Sequence, residues 1–167
     1  MRNELIKLCE RFEQEDIRYL IVGGLAVLLH GYLRTTSDLD LVIQLNTENL
    51  QKALNVLKAL HYKPRAPVEL GAFADAEKRN SWINEKGMPV FSLWNDTNEL
   101  EIDIFVTEPF HFASVFERSI LVSIDKQPVR VIGLDDLIDM KMKVGRHIDL
   151  ADVENLKILK EKNNAEA

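Results

Sequence analysis

The chain has 167 residues, 46% of them hydrophobic and 29% charged, with a formal net charge of −6 at pH 7. This composition fills one core and points to a single domain over residues 1–167, not to disorder. No apolar run reaches the roughly 18 residues of a spanning helix, one cysteine (Cys9) leaves no internal disulfide, and an acidic chain does not draw nucleic acid by its bulk field. The start, Met1-Arg2-Asn3-Glu4, lacks a signal-peptide pattern, so a reducing, cytoplasmic setting is expected.

Residues 3–15 read as an amphipathic helix, with Leu5, Leu8, Cys9 and Phe12 on one face and Cys9 as core filler. A buried strand over 18–22 ends at Gly23-Gly24. A short apolar helix over 25–30 follows, and Gly31 suits its C-terminal cap. A second strand covers 38–43. Asn46-Thr47-Glu48 opens a helix to about Leu60, with Leu50, Leu54, Leu57 and Leu60 aligned. Pro64 and Pro67 break regular structure. Ser81–Asn84 and Val90–Trp94 are then expected as a strand pair joined by a turn at Glu85–Pro89.

A third informative strand covers Glu99–Val106, where acidic and apolar residues alternate. Pro109–Phe116 suggests a short helix. Strands follow at Ile120–Ile124 and Val129–Ile132. From Leu134 the chain turns helical, with Asp135 and Asp136 in the first turn and Asp149 as a plausible N-cap if the chain bends at Gly145. The tail 161–167 is expected to fray.

The chemistry-bearing stretch is Gly23 to Ile43. A strand that ends in two glycines and leads into a helix frees backbone N–H groups where an anion is favoured. Thr35, Thr36 and Ser37 then precede Asp38-Leu39-Asp40. Residues two apart in a strand share a face, so Asp38 and Asp40 lie side by side. Paired carboxylates repel unless a cation lies between them, and hard divalent ions prefer such oxygens. Taken singly, Gly-Gly is as well a tight turn and Asp-x-Asp a solvated strand edge; their order and spacing together favour a phosphate cradle beside a metal pair. Asp103, flanked by Ile102 and Ile104, offers a third carboxylate and is preferred to Glu101 because it lies deepest. Lys58, Lys63, Arg65, Lys78 and Arg79 could form a local basic patch or scattered surface charge. His30 and His147 read as satisfied or solvated, not as ligands.

Gly-Gly, an apolar helix, His-Gly, an Arg-Thr segment and Asp-x-Asp together resemble the DNA-polymerase-β-type nucleotidyltransferase superfamily. That resemblance implies an α+β, palm-like fold: a mixed sheet with helices packed against it and a C-terminal helical segment over 134–162. It implies that Asp38, Asp40 and Asp103 hold two Mg²⁺ (or Mn²⁺) ions as the catalytic set, and that Gly23 and Gly24 grip the triphosphate. A second motif, Lys141-x-x-x-x-Arg146-x-x-Asp149-x-x-Asp152, is similar to one in the bacterial abortive-infection toxins of type IV toxin–antitoxin pairs, in which the lysine, arginine and aspartate are needed for activity. Two departures stand out: the chain lacks the large C-terminal helical domain of many such toxins, and Gly24 stands where the wider superfamily often has serine.

The expected reaction is therefore metal-dependent transfer of a nucleoside monophosphate from an NTP to an acceptor, with pyrophosphate released. Gly23, Gly24, Arg34, Thr36, Ser37, Lys141 and Arg146 are the expected nucleotide-binding residues. The acceptor is RNA or tRNA in a toxin-like reading, which adds an antitoxin partner, or an antibiotic in a small-molecule reading. The remaining alternative is a silent nucleotide- or protein-binding module on the same fold. No reading involves a membrane.

Overall fold

The computed structural model describes residues 1–97 and 99–166. Seven strands form one mixed sheet in the order β3-β4-β5-β2-β1-β7-β6. They are β1 (Tyr19–Val22), β2 (Asp38–Ile43), β3 (Lys63–Pro64), β4 (Val90–Trp94), β5 (Glu101–Phe105), β6 (Ile120–Ile124) and β7 (Gln127–Val131). Among the described residues the helices are α1 (Arg2–Gln14), α2 (Gly23–Leu29), α3 (Thr47–Ala59), α4 (Ala76–Lys86), α5 (Phe112–Glu117), α6 (Leu134–Val144) and α7 (His147–Glu166), with a 3-10 turn at Leu70–Ala74.

Two parallel pairings position the site. Strand β1 runs antiparallel to β2 and parallel to β7, while β2 runs parallel to β5. Parallel neighbours need a long crossover, and here residues 44–100 supply it through α3, α4 and β4. Alternation sorts the two faces of the sheet. Leu39, Leu41, Phe91, Leu93, Ile102 and Ile104 are all at most 1% exposed, whereas Asp38, Asp40, Ser92, Glu101 and Asp103 are half-buried on the opposite face.

The apolar face is covered by α1 and α3, which pack on each other, and by the 3-10 turn and α4. Phe73 and Trp82 both stack on Phe91, with ring centroids 5.2 and 5.1 Å away. Cys9 is buried in this core, and burial pushes its thiol up to about 12, as expected of filler. At the other end, α6 and α7 pack together and α6 meets α2.

Three local expectations need correction. Residues 81–84 are not a strand but the middle of α4. Asp75 caps that helix by accepting from the N–H groups of Glu77 and Lys78, and Gly87 ends it at φ +58°. The S-W-I-N alternation is outweighed by caps at both ends. Gly31, by contrast, ends α2 as expected: it follows His30 at φ +108°, its N–H donates to the Leu28 carbonyl and that of Tyr32 to the Val27 carbonyl. Asp149 is not an N-cap, because α7 has already begun at His147; it sits in the first turn. Finally, α7 continues through Glu166, into the stretch expected to fray, while Ala167 lies outside the described residues.

Candidate active site

Strand β1 ends at Val22, and α2 starts at once with Gly23 at φ +64°. A Cβ at Gly23 would overlap the Asp40 carboxylate, and one at Gly24 would lie 2.9 Å from Thr36 Oγ1 and 3.2 Å from Arg34 Cζ. The first position therefore requires glycine for its backbone conformation, whereas a side chain at the second would have to displace the ends of Thr36 and Arg34. The glycines, Asp40 and the Arg34–Thr36 loop are packed into one wall.

The register of β2 with β5 sets Asp38 opposite Glu101 and Asp40 opposite Asp103. Asp38, Asp40 and Asp103 all line a cavity of about 270 Å³. Gly23, Gly24, Arg34 and Thr36 line it from one side, and Lys141 and Arg146 from the other. The structure thus brings together nearly every residue singled out from the sequence. Ser37 is the exception: it does not line this cavity, and its hydroxyl donates to the Asp38 carboxylate. Ser37 therefore holds an aspartate in place and does not face the pocket. His30 is satisfied at the carbonyl of Ile132 (2.8 Å), and His147 is exposed. Arg79 is buried, with Nη1 donating to the Phe73 carbonyl (2.5 Å), so it belongs to no surface patch.

Two of the carboxylates, Asp40 and Asp103, are held protonated more readily than free ones. Burial pushes Asp40 up to about 6. The nearby charges of Asp103 and Asp38 add to this, while the Gly24 N–H and Lys141 partly offset it. Asp103 is also raised, by burial first and then by Asp38 and Glu101, although Ser92 Oγ donates to its Oδ1 at 2.5 Å and pulls the other way. Among the described residues no three such side chains converge as they stand into a ligand cluster. The donor chemistry nevertheless fits a hard divalent ion: three carboxylates line one cavity, and two are held against their own repulsion.

Facing them is an ion network, buried at Lys141, Asp149 and Asp152 and exposed at Arg146, which is what the Lys141–Asp152 motif forms in space. Lys141 Nζ lies 3.3 Å from Asp149 and 2.7 Å from Asp152, with its side chain only 6% exposed. Arg34 Nη1 reaches the same Asp152 at 2.5 Å, and Arg146 Nε reaches Asp149 at 2.7 Å. Burial pushes Asp149 up, but hydrogen bonds from Arg146 and Lys141 outweigh this and hold it below the usual carboxylate range. Three cations share two carboxylates, so the network keeps a net positive charge toward the cavity.

Sequence reasoning missed three things here. The contact of Ser92 with Asp103 was readable only as alternation along β4. The link from Arg34 to Asp152 spans 118 positions and leaves no local signal. The apolar lining of Phe105, Met140, Val144 and Ile148 comes from three separate elements.

Residues 3–164 match the model of the family described as "Nucleotidyltransferase of unknown function (DUF6036)". The chain belongs to this family. No curated protein sequence matches the chain. Among solved structures, it is similar to a lincosamide antibiotic adenylyltransferase, LnuA, bound to lincomycin (TM-score 0.63, 16% identity, 95% of this chain and 98% of that chain). It is similar to a putative nucleotidyltransferase from Thermotoga maritima (TM-score 0.59, 14% identity, 98% and 92%). It is also similar to ANT(2″)-Ia in complex with adenylyl-2″-tobramycin (TM-score 0.56, 14% identity, 98% and 97%). The α+β architecture is thus that of the nucleotidyltransferase fold, as the Gly-Gly and Asp-x-Asp stretch implied. For this DUF6036 member, the family places nucleotidyl transfer first among the expected reactions. No described helix is long and apolar enough to cross a membrane.

Proposed function

We propose that this protein transfers a nucleoside monophosphate from an NTP to a hydroxyl on an acceptor and releases pyrophosphate. The observation that carries the proposal is the β2–β5 register: it sets Asp40 opposite Asp103 on the wall of the cavity that the glycines and the Arg34–Lys141–Arg146 cations also line.

In this proposal Asp38, Asp40 and Asp103 would hold Mg²⁺ or Mn²⁺, which would supply charge neutralisation for the triphosphate and activation of the acceptor oxygen. The chain's own residues do the rest. Lys141, Arg146 and Arg34 attract and orient the phosphates, and Gly23 and Gly24 let the triphosphate approach the backbone closely. Phe105, Met140, Val144 and Ile148 give the nucleoside an apolar surface. Asp103 accepts the acceptor's hydroxyl proton. The acceptor oxygen then bonds to the α-phosphorus, the bond from that phosphorus to the β-bridging oxygen breaks, and the electron pair leaves with pyrophosphate. Most of the rate comes from positioning and charge stabilisation.

The motif's resemblance to type IV toxins supports RNA as the acceptor and a protein antitoxin as a partner. The likeness to a lincosamide antibiotic adenylyltransferase and to ANT(2″)-Ia, seen with adenylyl-2″-tobramycin, supports a small molecule instead. Incubation of the protein with each α-labelled NTP and Mg²⁺ tests the core of the proposal. Release of pyrophosphate that Asp38→Ala and Asp103→Ala abolish is the expected result. Undiminished NTP·Mg binding by Asp38→Ala would overturn the metal assignment.

A further inference from the structure

A second cavity, of about 450 Å³, opens beyond Asp103 on the side away from Asp40. Its wall includes Ser92 and Val90 of β4, Arg65 just past β3, and Lys86, Met88 and Pro89 at the end of α4. Ser92 pairs with Asp103 across the β4–β5 ladder, and its hydroxyl binds that carboxylate at 2.5 Å. Ser92 thus links the linings of the two cavities. Asp103 faces the first, and the hydroxyl that holds it belongs to the wall of the second.

The charge of the two cavities differs. The first mixes Asp38, Asp40, Asp103 and Asp149 with Arg34, Lys141 and Arg146, while the ionic residues of the second are Arg65 and Lys86 alone. Arg65 is fixed in place: its N–H donates to the Ser92 carbonyl at 2.9 Å, and its guanidinium forks onto Glu101, with Nη2 2.9 Å from Oε2. The fork spends two of its five N–H donors on Glu101 and leaves others for a ligand. Lys86 is exposed on the last turn of α4, and the left-handed Gly87 turns the chain away beneath it. Met88, Pro89 and Val90 supply an apolar floor.

Resting on the nucleotidyl-transfer reading, we infer that this second cavity seats the acceptor, and that the acceptor carries a phosphate as well as the hydroxyl that is modified. The hydroxyl lies toward Asp103 and the phosphate toward Lys86 and the free edge of Arg65. A phosphate gains charge-assisted hydrogen bonds there, whereas a polyamine drug would bring like charge onto both cations. A sugar phosphate and a nucleic-acid end share this chemistry.

The test uses the full chain with Mg²⁺ and each α-labelled NTP. Four acceptor arms are run in parallel: total tRNA, ribose 5-phosphate, tobramycin and lincomycin. Label on tRNA or on ribose 5-phosphate is the expected result, and which of the two carries it tells the sources apart. Label on a drug, with none on either phosphorylated acceptor, overturns the inference while leaving nucleotidyl transfer intact. Lys86→Glu, checked for unchanged melting temperature, should raise the KM for the phosphorylated acceptor about tenfold, the size of one charged contact. The KM for NTP should hold, and Lys86→Ala should fall between. An acceptor KM that neither variant moves overturns the inference. NTP binding by equilibrium dialysis separates the two levels. No bound NTP overturns the nucleotidyl-transfer reading itself, whereas bound NTP with no phosphorylated acceptor labelled overturns this inference alone.

Discussion

Asp40 and Asp103 occupy the same rung of the parallel ladder between β2 and β5, and the charge of Asp103 raises the cost of ionising Asp40. Asp40→Asn removes one of the opposed charges while keeping the shape. The apo protein should become more stable by on the order of 1 kcal/mol, or a few degrees in Tm. Transfer should fall by more than about a hundredfold with the loss of charge stabilisation. Calorimetry and a pyrophosphate assay on one preparation check both signs.

The same pair sets a pH dependence. Asp40 is raised from 3.8 to about 6, so the folded protein holds this proton more tightly than the unfolded chain. Its contribution to stability is complete below about 4 and is lost as pH rises through about 6. Asp103 is raised and has the same sign. Asp149 is lowered and has the opposite sign, but its contribution is lost only as pH falls below 3.8. Between pH 4.5 and 7.5 the metal-free protein should therefore lose stability from these aspartates. Added Mg²⁺ should restore it most at the alkaline end and least near pH 5, where protons compete. Melting curves with Mg²⁺ and with EDTA across this range decide the matter.

Lys141 and Arg146 should separate folding from function. Lys141 is buried between two carboxylates, so Lys141→Ala removes the shared cation, leaves Asp149 to Arg146 and Asp152 to Arg34, and should cost on the order of 2–3 kcal/mol. Arg146 has a side chain 71% exposed, and Arg146→Ala should change stability by less than about 1 kcal/mol. Its KM for NTP should nonetheless rise. Urea titration alongside NTP kinetics reads both.

Gly23→Ala meets two obstacles at once, a φ of +64° and the Asp40 carboxylate. The backbone term alone is worth about 1–2 kcal/mol. Displacement of Asp40 should also weaken Mg²⁺-dependent stabilisation, which Gly31→Ala should not do, since a Cβ there meets nothing within 4 Å. Thermal shift with and without Mg²⁺ compares the two.

Ser92→Ala removes the hydrogen bond that pulls Asp103 down, so that carboxyl should rise further. The acidic limb of the pH–rate profile should move to higher pH, with the plateau rate reduced. An unchanged limb would mean that Asp103 is not the proton acceptor.

The parts of the fold that could be read locally were the strands and helices whose period matches their burial. Glu101-Ile102-Asp103-Ile104 alternates in sequence and in space, and Leu5, Leu8, Cys9 and Phe12 form one stripe in both. Nothing along the chain states that β2 lies parallel to β5, because the pairing is made across a crossover of more than fifty residues. Resemblance to a family supplied only that Asp103 joins Asp38 and Asp40, not the parallel register that brings it there. The misreading at 81–84 has a physical cause. Trp82 is buried and its neighbours alternate, which suits a strand, but the decisive information lay at Asp75 and Gly87, the caps outside the window. The Arg34–Asp152 contact was out of reach for the same reason as the β2–β5 pairing.

Leu39, Leu41, Ile102 and Ile104 are wholly buried and touch no part of the cavity. They nevertheless set the spacing of its acids, because each lies one residue from an aspartate on a two-residue repeat. Sliding β5 by a single step would drive Asp103 into the oily side and lift an isoleucine to the chemistry. Selection for a dry interior and selection for a working acid pair therefore act on the same ruler, and neither can drift without the other.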